Sequence, residues 1–211
     1  MMLGIHDYSL FVMTAILLNL TPGPDTMYIL GRSMAQGRRS GIASALGIST
    51  GCLVHTLAAA FGLSAVLMTS SHAFFVVKIL GAAYLIYLGV QMLRSPSVFQ
   101  DARGDEAEAS DFKIFRQGVV TNVLNPKVAL FFLALLPQFV SKDSAHPTLA
   151  LLMLGLTLVL TGTIWCLGLA FFAGFLSDHI RRSQRLSTAI SRITGLTFLG
   201  LGVKLAVSER S

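Results

Sequence analysis

Between Gly41 and Val77 the chain carries no Asp, Glu, Lys or Arg, and between Ser144 and Ser177 again none. Each run is longer than the roughly 18 apolar residues that a bilayer-crossing helix takes. The rest of the chain agrees. Of 211 residues, 54% are hydrophobic and 12% charged, against about a quarter charged in an average soluble domain, and mean hydropathy is +0.71. The sequence reads as an all-α integral membrane protein embedded in a lipid bilayer.

Apolar segments fall at 8–31, 41–69, 73–93, 114–140, 148–176 and 186–207, which predicts six transmembrane helices. The one extended polar stretch, 94–113, has mixed charge and small residues and reads as a solvated cytoplasmic linker. It divides a first three-helix unit, 1–93, from a second, 114–211, within one transmembrane domain. Eleven Lys and Arg residues fall in the loops after the first, third and fifth segments, against Lys142, Lys204 and Arg210 on the other side. The positive-inside rule then puts both termini outside the cytoplasm. The net charge of +6 sits beside apolar segments, where it orients helices and meets anionic lipid; it does not point to nucleic acid. The N-terminal "MMLGIHDYSLFVM" has no basic residue before its apolar run, and reads as a retained span and not a signal peptide. Cys52 and Cys166 lie in apolar runs, with neither metal-ligand spacing nor a disulfide framework, and no cofactor is implied.

The two halves echo each other. "KILGAAYLIYLG" from Lys78 matches "RITGLTFLGLG" from Arg192, with Gly81 against Gly195 and Tyr84 against Phe198, all 114 positions apart. "NLTPGPD" in the first span has a looser counterpart, "NVLNPKVAL", in the fourth. Three helices per unit make the second copy enter the membrane from the opposite side. This is the inverted-repeat plan of many secondary transporters, whose interrupted helices mark the substrate site.

Both proline motifs break a span. Pro22, Gly23 and Pro24 open the first just before Asp25, with Asn19 and Thr21 placed to bond the loosened backbone. In the fourth, Asn125 and Pro126 follow Asn122 by one turn and precede Lys127. A bland kink is the alternative for each break, and a buried ion pair fixing registry is the alternative for Asp25 and Lys127. Ionisable groups inside a membrane more often mark a pathway. The acid and the base suit a zwitterionic amino acid: Lys127 and the opened helix N-termini for its carboxylate, Asp25 for its ammonium. Since protonation of Asp25 competes with ammonium binding, the pair suits proton antiport. His55, mid-span in the second helix, is a candidate proton relay, though a helix–helix hydrogen bond is the commoner role. Tyr84 and Tyr87 are candidate cavity-lining residues, with packing the commoner fate. Lys78 reads as a snorkelling side chain. Gly41, Gly47, Gly51, Gly81 and Gly89 read as close-packing positions, and Trp165 carries no functional signal.

The motifs "NLTPGPD" at 19–25, "GRRSGIASALGISTG" at 37–51, "KILGAAYLIYLG" at 78–89 and "NPKVALFFLALLPQFV" at 125–140 together resemble the LysE/RhtB family of bacterial amino-acid exporters. The resemblance implies a six-helix carrier of the bacterial inner membrane that expels amino acids, driven by the proton gradient. It is nearer the branch that exports neutral substrates such as homoserine, threonine or leucine. A passive channel and an exporter of another small zwitterion are the rival readings, and a homo-oligomer is a possible assembly. No span holds a Ser/His, His-rich metal or paired-Asp constellation, so the sequence does not read as an enzyme.

Overall fold

The computed structural model describes residues 3–63, 109–141 and 143–182, with isolated positions within 76–94 and 192–207. Most of the expected third and sixth spans, most of the polar linker, Tyr84, Gly81 and Gly89 lie outside the described residues. Those described are helical; the extended pairing among them is a single antiparallel bridge, Ile5 with Val140. Helix α1 is Tyr8–Leu20 and α2 is Pro24–Ala58, continued by a π-helical turn at Ala59–Leu63. Helix α3, Asp111–Val123, is capped by the Ser110 side chain. It therefore starts inside the segment expected to be linker. The short helix α4, Pro126–Leu130, runs on through a π-helical turn, Phe131–Leu135, and a 3₁₀ turn, Leu136–Phe139. Helix α5 is Pro147–Arg182.

Gly37 divides α2. Its φ of 84° and ψ of 179° lie where a side chain is strained and glycine is not. Asp25 and Cys52 would stand about 40 Å apart on a straight helix, yet both line one cavity. A Cβ on Gly41 would fall 2.0 Å from the Ser33 hydroxyl. The helix therefore folds back at Gly37 into two arms, 24–36 and 38–58. The expected loop shrinks to one glycine, and Arg32, expected in that loop, is helical and buried at 4% exposure.

The contacts fix relative direction. Along α1 and the 24–36 arm, Tyr8 meets Thr157, Asn19 meets Thr161, and Ile29 and Leu30 share a core with Leu169 and Ala170. That span is parallel to α5. In the 38–58 arm, Arg39 pairs with Asp111, Gly47 abuts Phe115 and Gly118, and Gly51 abuts Asn122, so this arm is parallel to α3. Ser49 bonds Thr163 while Thr56 packs on Gly155, which sets the same arm antiparallel to α5.

One core joins Phe11, Ala15 and Leu18 to Phe131, Phe132, Leu136 and Leu154; a second joins Ile29, Leu30, Ala45 and Ile48 to Leu169 and Ala170. Leu156, Leu160 and Ile164 are exposed on the outer face of α5, one turn apart, as a lipid-facing stripe requires. By length and composition Pro24–Gly62, which the Gly37 turn divides into two arms, and Pro147–Ala173 are apolar enough to cross a bilayer. The pair Asp111–Val123 and Lys127–Phe139, bent by 48°, adds a third if counted as one broken span. The chain is a multi-pass membrane protein.

Candidate functional site

A proline takes away the N–H that would have bonded the carbonyl four residues back, and in a bilayer that carbonyl needs another donor. Pro22 leaves the Leu18 carbonyl in this position. Lys127 Nζ donates to it at 3.2 Å and to the Thr21 carbonyl at 2.9 Å. The Thr21 hydroxyl turns back onto Leu17 O at 2.7 Å. Gly23 admits the lysine, since a Cβ there would lie 3.3 Å from Nζ.

Pro126 does the same to Asn122. Its carbonyl is approached by His55 Nε2 at 3.2 Å and accepts the Asn125 N–H at 3.0 Å. The His55 ring stacks on Phe132 at 5.6 Å. The Asn125 side chain caps α4 by accepting the Lys127 N–H at 3.0 Å, and Val128 N–H goes to the Asn125 carbonyl. Asn122 and Asn125 are both 1% exposed.

The two breaks clasp each other. The second break's Lys127 re-satisfies the first, and the second break's Asn122 donates Nδ2 to Asp25 Oδ2, just past the first, at 2.8 Å. The two spans cross antiparallel here, with Tyr28 bonded to Ile114 O, Asp25 to Asn122 and Thr21 to Lys127.

Asn19, Asp25, Asn122 and Lys127 line one cavity of about 40 Å³, walled by Leu18, Ile48, Val128, Leu158 and Val159. That is room for a few waters. Asp25 and Lys127 face this space without forming an ion pair among those of the described residues. The carboxylate is held by an amide and the ammonium by carbonyls. Thr21, Pro22, Gly23, Pro24, Asn125 and Pro126 form the two breaks around it. His55 stands behind the second break and not on the cavity wall. Tyr87 is 57% exposed and apart from the cavity. Among the described residues no group of three His, Cys, Asp or Glu side chains is placed to hold a metal.

Four side chains join the site that the sequence had not marked. Ser49 and Thr163 share a 2.8 Å hydrogen bond, Thr161 receives Asn19 Nδ2 at 3.1 Å, and Trp165 lines the cavity. For Thr161, Thr163 and Trp165 the signal was the run "TLVLTGTIW", three threonines and an indole on a span with no charge; Ser49, in another span, had none. Three buried polar atoms of the lining side chains have no partner among the described residues: Asp25 Oδ1, Asn122 Oδ1 and Trp165 Nε1. Towards the Gly37 end, Arg32 donates to Gln117 Oε1 at 2.8 Å and stands over the Tyr28 ring.

The description "LysE type translocator" matches residues 16–209. An uncharacterized membrane protein of Pseudomonas aeruginosa is 35% identical, covering 99% of both chains. One of Bacillus subtilis is 32% identical over 96% of this chain and all of its own. A leucine efflux protein of Klebsiella pneumoniae is 28% identical over 98% of this chain and 97% of its own. No solved structure matches the chain. The match runs through both proline breaks and nearly the whole chain, so the protein belongs to the LysE-type translocator family.

Proposed function

We propose that this protein is a secondary active exporter of neutral α-amino acids of the leucine type, working by proton antiport in the bacterial inner membrane. The observation that carries this is Asp25 Oδ1: a buried carboxylate oxygen without a partner among the described residues, on a cavity where two broken helices cross. Family membership and the leucine efflux relatives support the substrate class, and so do the aliphatic walls of the cavity.

In this reading Asp25 holds either the substrate ammonium or a proton. Facing the cytoplasm, the carboxylate releases its proton and accepts the ammonium. Facing outward, a proton from the acidic side displaces the substrate, and the protonated carrier returns. Lys127 supplies the positive charge on the carboxylate side of the cavity. Binding that excludes the coupling ion makes the exchange obligatory.

The helix directions support six spans in two inverted units, 1–93 and 114–211, joined by the linker 94–113. The first and fifth spans run one way, and the second and fourth the other, as alternate crossings require. The first and fourth cross antiparallel with their breaks at one level, as a two-fold axis in the membrane plane would relate them. The loop charges support termini outside the cytoplasm.

The test is leucine export from proteoliposomes under an imposed pH gradient, with Asp25→Asn beside the wild type. Wild type is expected to accumulate leucine on the acidic side and to show counterflow. The variant, which keeps the Asn122 contact but cannot titrate, is expected to lose the response to pH at unchanged abundance. Unaltered gradient-driven transport by the variant would refute the assignment, and wild-type flux without trans-stimulation would mean a channel.

A further inference from the structure

We infer that the indole N–H of Trp165 is a substrate-binding group, the donor that receives the carboxylate of the transported amino acid; this rests on the export reading above. Four side chains lining the cavity carry N–H groups: Asn19, Asn122, Lys127 and Trp165. Asn19 Nδ2 is committed to Thr161 and Asn122 Nδ2 to Asp25. Lys127 Nζ spends two of its three protons on the Leu18 and Thr21 carbonyls. Of the two helix N-termini that the sequence offered as carboxylate seats, that of α4 is closed by its own cap, with Lys127 N–H on Asn125 Oδ1 and Val128 N–H on Asn125 O, and that of α2, at Gly23, has no side-chain cap. Trp165 Nε1 alone of the four is buried with no partner among the described residues.

Buried polar groups are almost always bonded, and a buried Trp N–H usually finds an acceptor. An indole is a donor only, so the partner it lacks is an acceptor. The other two unpartnered buried atoms of lining side chains, Asp25 Oδ1 and Asn122 Oδ1, are acceptors that lack a donor. A zwitterion supplies both complements in one molecule: its ammonium to Asp25 and Asn122, its carboxylate to Trp165. Leu18, Val128 and Leu158 leave its side chain an aliphatic surface and no charge to pair with. Specificity then follows: an α-amino amide or a simple amine meets Asp25 but offers Trp165 no anion.

Trp165 is the only tryptophan in the chain, so wild-type protein reports on its own site. Purified protein in nanodiscs is titrated with L-leucine and with L-leucinamide while indole emission is followed, and Trp165→Phe is assayed for leucine export. Leucine is expected to give a saturable emission change that leucinamide does not reproduce. Trp165→Phe, which keeps the ring bulk and loses the N–H, is expected to raise KM about tenfold or more with maximal rate retained, the size of one hydrogen bond to a charged group. If Trp165→Phe fails to accumulate, the emission arm decides. Equal emission responses to the two ligands, no response to leucine from a protein that exports it, or a variant KM within twofold of wild type overturns the inference and leaves the Asp25 reading standing. A wild type that exports no amino acid overturns both.

Discussion

Lys127 and His55 each stand on a carbonyl that a proline left without its helical donor, and this decides what their removal does. Lys127→Met removes the one donor to the Thr21 carbonyl among the described residues and leaves the Leu18 carbonyl with the Thr21 N–H alone, a cost of about 1–3 kcal/mol. Lys127→Arg keeps donors on the first break and is expected to lose less. Thermal unfolding in detergent checks the order: wild type, then Arg, then Met. His55→Phe retains a ring against Phe132 and gives up the contact with the Asn122 carbonyl, so it is expected to cost about 1–3 kcal/mol. Because His55 braces the second break from behind the cavity, the same variant is expected to keep gradient-driven transport. Loss of the pH response at normal abundance would return His55 to the relay role. Both side chains are ionisable groups inside apolar spans, and charge alone points to a pathway; only the carbonyl beneath each one identifies the brace.

At the scale of helices, the 38–58 arm and α3 pack through glycines at backbone distance. A Cβ on Gly47 would lie 2.2 Å from the Phe115 carbonyl oxygen, and one on Gly51 2.7 Å from Asn122 Cβ. Neither neighbour is the free end of a flexible chain, so the helices themselves must part. Gly47→Ala is expected to destabilise by about 1–3 kcal/mol and to weaken the Asn122–Asp25 contact one turn further on. Gly168→Ala, where a Cβ meets nothing within 4 Å, is the neutral control; equal melting temperatures for the two variants would sink this account. Gly47 and Gly51 were legible as packing positions because a small residue in an apolar span has few other uses. The proline breaks were legible for a local reason too: a missing N–H is a property of the residue. The donors that mend them were not, because Lys127 sits 109 positions from Leu18 and His55 67 from Asn122, and no periodicity carries that pairing. The turn at Gly37 was misplaced because "GRRSG" reads as a loop by charge, while the backbone stays helical through Gln36 and reverses at one glycine.

For the whole molecule, direction and charge make separate statements that must agree. The Gly37 turn and the start of α3 lie at one end, tied by Arg39 to Asp111. The N-terminal residues are tied to the other end, where Ser141 N–H bonds Gly4 O and the Ser144 hydroxyl bonds Leu3 O. The loop charges predict the basic, Gly37 end in the cytoplasm, so the end holding residues 3–6 and 140–146 is expected to face out. Arg38 and Asp143 are both exposed, one at each end, and they make the orientation measurable. Cys52 and Cys166 lie inside the fold, so an impermeant maleimide added to intact cells reads an introduced thiol against little background. Asp143→Cys is expected to react from outside, and Arg38→Cys only after the cells are opened. The reverse pattern would turn the carrier over. It would overturn the orientation read from the loop charges and put the Gly37 end, with its Arg32–Gln117 contact, on the acidic side, while antiport at Asp25 would still follow the proton gradient, because alternating access opens the site to both sides in turn.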